Sequence, residues 1–216
     1  MSGLVRVSAL ARIWAVTTST PTMTARRRRV AGAILGWLAL AATYYLTFPI
    51  FGVLSLFGLL VVGGCWLWAI IGSAAAVISM ARHSWWQAVA LTVVSVAAGL
   101  VIWHADWLTI YLKSQFWLHR GSLSQLAAEH DAGRLPVEAP LPWHMRYLSI
   151  DGHAHRQSSP EALYLPMWQD WRGESGGGFV YLGSASPTDT AIRTAPGGIG
   201  LPSRHIGDGW WWVAGG

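Results

Sequence analysis

The chain has 216 residues, 53% of them hydrophobic and 12% charged, and a formal net charge of +5. A charged fraction about half that of an average soluble domain excludes an ordinary water-soluble globule. The basic excess is not a nucleic-acid signal either. Residues 1–29 carry +6, residues 30–112 balance Arg82 against Asp106, and residues 113–216 sum to −1, which leaves no folded basic face.

Residues 1–29 form a basic segment expected on the cytoplasmic side. Within it, LVRVSALARIWAV sets Arg6 and Arg12 in an apolar stretch without a clear helical stripe. MTARRRR directly before an apolar run has the form of a bacterial membrane N-terminus, so translation is expected to start at Met23; the alternative is an interfacial helix over the first residues.

Residues 30–112 read as a membrane domain with spans at about 30–48, 53–81 and 86–108. Each is long enough to cross a hydrocarbon core of about 30 Å, and in lipid such runs must be helical. Pro49 is expected to end the first span, and Arg82, His83 and Ser84 to turn the second into the third. Trp85 and Trp86 at one end of the third span, with Trp103, Trp107 and Tyr111 at the other, fit interfacial belts. Arg26–Arg29 before the first span and Arg82 after the second place the odd ends inside, and therefore the C-terminal domain outside. A rival reading takes Ala39-Leu40-Ala41 as a signal-peptide cleavage site, which would leave two spans. Small residues recur in the spans, as Gly32/Gly36, Ala69/Ser73, Gly72/Ala76 and Ser95/Gly99. They imply close helix packing within the bundle, with homo-oligomerisation as the alternative. Cys65 is the lone cysteine, so the outer domain has no disulfide.

Residues 113–216 read as a small extracytoplasmic α+β domain with an antiparallel sheet. Ser122 and Gln125 predict a capping box for a short helix at about Leu123–Ala132, which Gly133 stops. Strand-like runs follow at 145–150, 162–168, 179–182 and 210–213, with Asp151-Gly152 as a type I′ hairpin signal before His153.

Three constellations carry candidate chemistry. Gly173-Glu174-Ser175-Gly176-Gly177 fits the G-x-S-x-G elbow and is similar to the GDSGG around the nucleophile of trypsin-like serine proteases. Ser175, Asp189 and His205 follow hydrolase chain order. Glu174 and Gly178 depart from that pattern, and the run leads into a strand where an elbow needs a helix, so a flexible glycine-rich turn is expected instead. His153 and His155 share a strand face and, with His144, Asp151 or His205 completing the set, offer metal ligands fixed by spacing at only two positions. Trp168, Asp170, Trp171 and Arg172 combine indole faces with polar groups suited to a sugar or peptide.

The sequence therefore predicts a multi-pass protein of a bacterial cytoplasmic membrane, its N-terminus inside. Its outer domain is expected to bind or scaffold an envelope glycan or protein through Trp168, Asp170, Trp171 and Arg172, without enzymatic activity or cofactor. A hydrolase using Ser175 or a His-bound metal is the alternative.

Overall fold

The computed structural model describes residues 23–51, 55–158, 161–170, 172, 174–183, 190–196 and 198–215. The expectations for residues 1–22, for Trp171 and for Asp189 lie outside these. Four α-helices come first: α1 (Met23–Phe51), α2 (Ser55–Ala81), α3 (Trp85–His104) and α4 (Trp107–Asp131). Seven strands follow: β1 (Glu138–Pro140), β2 (His153–Ser158), β3 (Glu161–Gln169), β4 (Gly176–Tyr181), β5 (Ile192–Arg193), β6 (Ile199–Gly207) and β7 (Trp210–Gly215). The chain divides into two compact units, one holding residues up to Ala41 with Val62–Ala105, the other Ala42–Val61 with Asp106–Gly216.

Among the described residues, three helical segments are long and apolar enough to cross a membrane: Arg27–Thr47, Phe57–Ala81 and Trp85–His104. Their packing is that of a protein dissolved in lipid. Small side chains lie inside, with Ala33, Ala69, Ser73, Ala76 and Ala88 buried, while Leu35, Leu38, Leu67, Ile71, Val94 and Val101 face outward. Lipid tails solvate aliphatic side chains as well as a protein interior does, so close backbone approach drives association instead. An ideal Cβ at Gly36 would lie 2.9 Å from the Ala69 Cα, and one at Gly72 would lie 3.4 Å from the Ala33 Cα. Trp37 caps this seam, donating from Nε1 to the Ser73 hydroxyl at 3.0 Å.

Three boundaries differ from the sequence reading. Helix α1 runs to Phe51, two residues past Pro49; a proline in the final turn removes one backbone bond and does not force an end there. The third span stops at His104, because Asp106 caps a separate helix: its carboxylate accepts from the Thr109 N–H at 3.0 Å and the Thr109 hydroxyl at 2.9 Å. The short helix expected at Leu123–Ala132 is the second half of α4, which begins at Trp107 and bends at the non-helical His119. Ser122 is thus inside the helix, and its hydroxyl meets His144 Nε2 at 3.2 Å. The stop at Gly133 is as expected. With φ of +66°, Gly133 donates to the His130 carbonyl and Arg134 to the Glu129 carbonyl, the paired bonds of a Schellman motif.

The described strands form one antiparallel sheet in the order β1-β2-β3-β4-β7-β6-β5. Helix α4 covers one face, burying Leu112, Phe116, Leu123 and Leu126 with Leu163, Leu165, Phe179, Trp210 and Trp212. The opposite face holds a second cluster of Ala162, Tyr164, Val180, Leu182, Ile192 and Val213. Residues 145–150, expected as a strand, lie largely in a 3-10 helix over Trp143–Leu148. Met145 and Leu148 are both fully buried, and their spacing of three is the 3-10 period. Asp151-Gly152 therefore connects this turn to β2 and closes no hairpin. Gly176–Gly178 form the first half of β4, not a flexible turn. The missing Cβ atoms allow neighbours in: one at Gly178 would fall 1.9 Å from the Leu165 carbonyl oxygen.

Candidate functional site

A polar cleft of about 680 Å³ opens on the sheet face away from α4, bordered by Asp151, His155, Gln157, Tyr164, Gln169 and Arg193 among others. Strand alternation creates it. Ala154 points into the α4-side core, so His155 and Gln157 point to the other face, opposite Tyr164 and Ala162 in register.

Gln157 performs an unusual task. Strand β5 pairs with β6 at the far end of the strand order, yet the Gln157 side chain reaches its backbone from β2. The Gln157 Nε2 donates to the Arg193 carbonyl at 2.8 Å, and the Arg193 N–H donates to Gln157 Oε1 at 3.1 Å. A primary amide here imitates a neighbouring strand's peptide group. Tyr164 adds a bond from its hydroxyl to the Thr194 carbonyl at 3.4 Å, and its burial holds the phenol far above its ordinary pKa. The sheet is thereby curled, with β5 as a strap over the cleft.

At the other wall, Asp151 Oδ2 meets His155 Nε2 at 2.6 Å, while Oδ1 accepts from the Ser149 hydroxyl at 2.6 Å and the His153 N–H at 2.9 Å. Burial by itself would raise the Asp151 pKa; the bonds from Ser149, His153 and His155 outweigh it and hold the carboxyl below its ordinary value. Three donors from its own neighbours thus engage Asp151. On the strap, the Arg193 guanidinium makes no salt bridge or side-chain hydrogen bond among the described residues, so the charge it presents to a ligand is positive.

The residues singled out in the sequence are distributed differently. Trp168 is half-buried against the α4-side core. Asp170 closes the β3–β4 loop, accepting from the Glu174 N–H at 2.8 Å and donating its N–H to the Ser175 carbonyl at 2.9 Å. Arg172 is exposed in that loop. Ser175 and His205 are not brought together: His205 is opposite Trp211 and Trp211 opposite Val180, five residues beyond Ser175 and roughly 16 Å along the strand at about 3.3 Å per residue. His205 instead packs its ring on Trp211 at 4.9 Å.

The three histidines are likewise separated in role. His155 pairs with Asp151, the His153 ring bonds the Asp151 carbonyl, and His144 stacks on His119 at 5.7 Å. Among the described residues no group of three or more His, Cys, Asp or Glu side chains is arranged to hold a metal ion. Gln157, Tyr164, Gln169 and Arg193 were not legible as a site, because strand partners distant in sequence assemble it. Comparison with known protein families, curated proteins and solved structures finds no match to this chain.

Proposed function

We propose that this membrane protein is an anchored binding module, non-enzymatic, whose C-terminal domain sits outside a bacterial cytoplasmic membrane and holds an envelope component in the β2–β3–β5 cleft. The observation that carries the reading is the cleft, whose volume of about 680 Å³ falls in the range of small-molecule sites. Its polar lining suits a hydrated ligand such as a sugar. Arg193 suits an acidic group, since guanidinium forks match carboxylate and phosphate oxygens. The Arg26–Arg29 cluster and Arg82 support the orientation.

The test uses the full chain in lipid nanodiscs with glucuronate and glucose as matched acidic and neutral probes. Saturation-transfer NMR is expected to detect glucuronate, to detect it several-fold less with Arg193→Gln, and to detect glucose weakly in both. Equal signals for the two sugars, or a glucuronate signal unchanged by Arg193→Gln, would overturn the assignment of the cleft.

A further inference from the structure

Helix α4 carries an apolar stripe that the described residues leave largely exposed, with the Arg120 guanidinium lying over the Trp117 ring at 4.9 Å. Ile110, Trp117 and Leu118 lie at i, i+7 and i+8 and so share one face; Trp117 and Leu118 are 64% and 71% exposed. On the adjoining 3-10 helix Trp143 is 84% exposed and Tyr147 54%. In water such a face would be costly, at roughly 25 cal/mol for each Å² of apolar surface.

A hydrogen-bond chain places this stripe relative to the first span. Tyr147 donates its hydroxyl proton to Gln115 Oε1 at 2.5 Å, so at 2.6 Å it accepts from His119, which must carry its proton on Nε2. Gln115 Nε2 donates to the Tyr45 hydroxyl at 2.9 Å. Ser114 gives its proton to the Tyr111 carbonyl at 2.8 Å and therefore accepts from Tyr45 at 2.6 Å. Every donor is used once, from His119 through to Tyr111. Tyr45 lies on α1 within the last two turns before its end at Phe51, and α4 itself begins three residues after the third span ends at His104. Ser114 and Gln115 are thus held beside the last two turns of α1, where the interfacial tyrosines of a span belong. Leu118 is three or four residues further along α4, at most about 6 Å away at 1.5 Å per residue whatever the helix tilt. The interfacial layer on each side of a bilayer is about that thick.

We infer that the face formed by Ile110, Trp117, Leu118 and Tyr147, with Trp143 at its rim, is seated in the interfacial layer of the same bilayer that the chain spans. The occupant is lipid, because the face continues the outer end of a membrane span and has the composition that interfaces select: aromatic rings, two aliphatic side chains, and two cations, Lys113 and the Arg120 that lies over the Trp117 ring. Lys113, exposed on the same helical face one turn before Trp117, reaches acidic headgroups with its ammonium while its stem covers apolar surface.

Site-directed spin labelling of the full chain in nanodiscs tests this. In a Cys65→Ser background, labels are placed singly by Leu118→Cys, Trp143→Cys and, as a water-exposed reference, Glu161→Cys. The expected result is that oxygen relaxes the labels at 118 and 143 several-fold more effectively, relative to a water-soluble nickel chelate, than the label at 161. Nickel accessibility at 118 and 143 equal to that at 161 would overturn the inference. So would protection of both positions from both relaxants, which would mean that a second copy of the chain covers the face.

Discussion

Gly178→Ala should break the C-terminal sheet domain. An ideal Cβ there would lie 1.9 Å from the Leu165 carbonyl oxygen and 2.9 Å from its carbon, where non-bonded heavy atoms prefer about 3.5 Å or more. The obstacle is backbone of β3, paired on one side with β2 and on the other with β4, so no side-chain rotation relieves it. Overpacking against movable groups costs about 1–3 kcal/mol; a fixed carbonyl puts the cost at the upper end, about 3 kcal/mol. For a domain of roughly 110 residues each kcal/mol is worth about 4 °C, so the melting temperature should fall by about 12 °C. Near-ultraviolet circular dichroism of the full chain in detergent reads this directly through the buried indoles. Gly32→Ala is the control, since nothing lies within 4 Å of a Cβ there, and it should melt with the parent. A Gly178→Ala protein melting within about 2 °C of the parent would refute the packing of β4 on β3.

Other perturbations follow from particular contacts. Asp106→Ala removes the α4 cap and the ion pair with Arg204; about 1 kcal/mol should be lost from the cap, and Arg204→Ala should cost less in the same melting assay. Gln157→Ala deletes both bonds to the Arg193 backbone, and the Arg193 amide should exchange hydrogen at least tenfold faster, a rise confined to the strap; unchanged exchange would mean that Gln157 does not hold it. Burial, and then the neighbouring His144, lower the His119 pKa. The unfolded chain therefore binds the proton more readily, and stability present above about pH 6.5 should decline as pH falls through and below that value. His119→Gln should flatten that decline, and nitrogen NMR of the parent at pH 7.5 should find the Nε2–H tautomer.

Much of the architecture is legible because the bilayer is a demanding solvent. Three apolar runs bounded by Arg and Trp have no alternative to helix, and Gly36 and Gly72 announce the seams through which they pack. Strands β3, β4 and β7 are legible from β-branched and aromatic residues. Strand β6 is not, because Pro202 reads as a breaker; the structure sets a register irregularity beside it, where a missing N–H need not cost a ladder bond. The β6–β7 connection did carry a signal, since Asp208-Gly209 has positive φ at both residues, as a type I′ turn requires. Asp106 was hidden as a cap because Trp107 and Leu108 continue the apolar run across the break. The cleft was hidden most thoroughly, for it depends on Gln157 reaching 36 residues ahead to Arg193.

The most direct test of the account is the side of the membrane on which the sheet domain lies. In a Cys65→Ser background, Glu161→Cys places a thiol on an exposed residue at the start of β3, and a membrane-impermeant maleimide is applied to intact bacterial cells expressing the full chain. Complete labelling without lysis is expected. Labelling only after the cells are opened would put the cleft in the cytoplasm and contradict the proposal that it holds an envelope component.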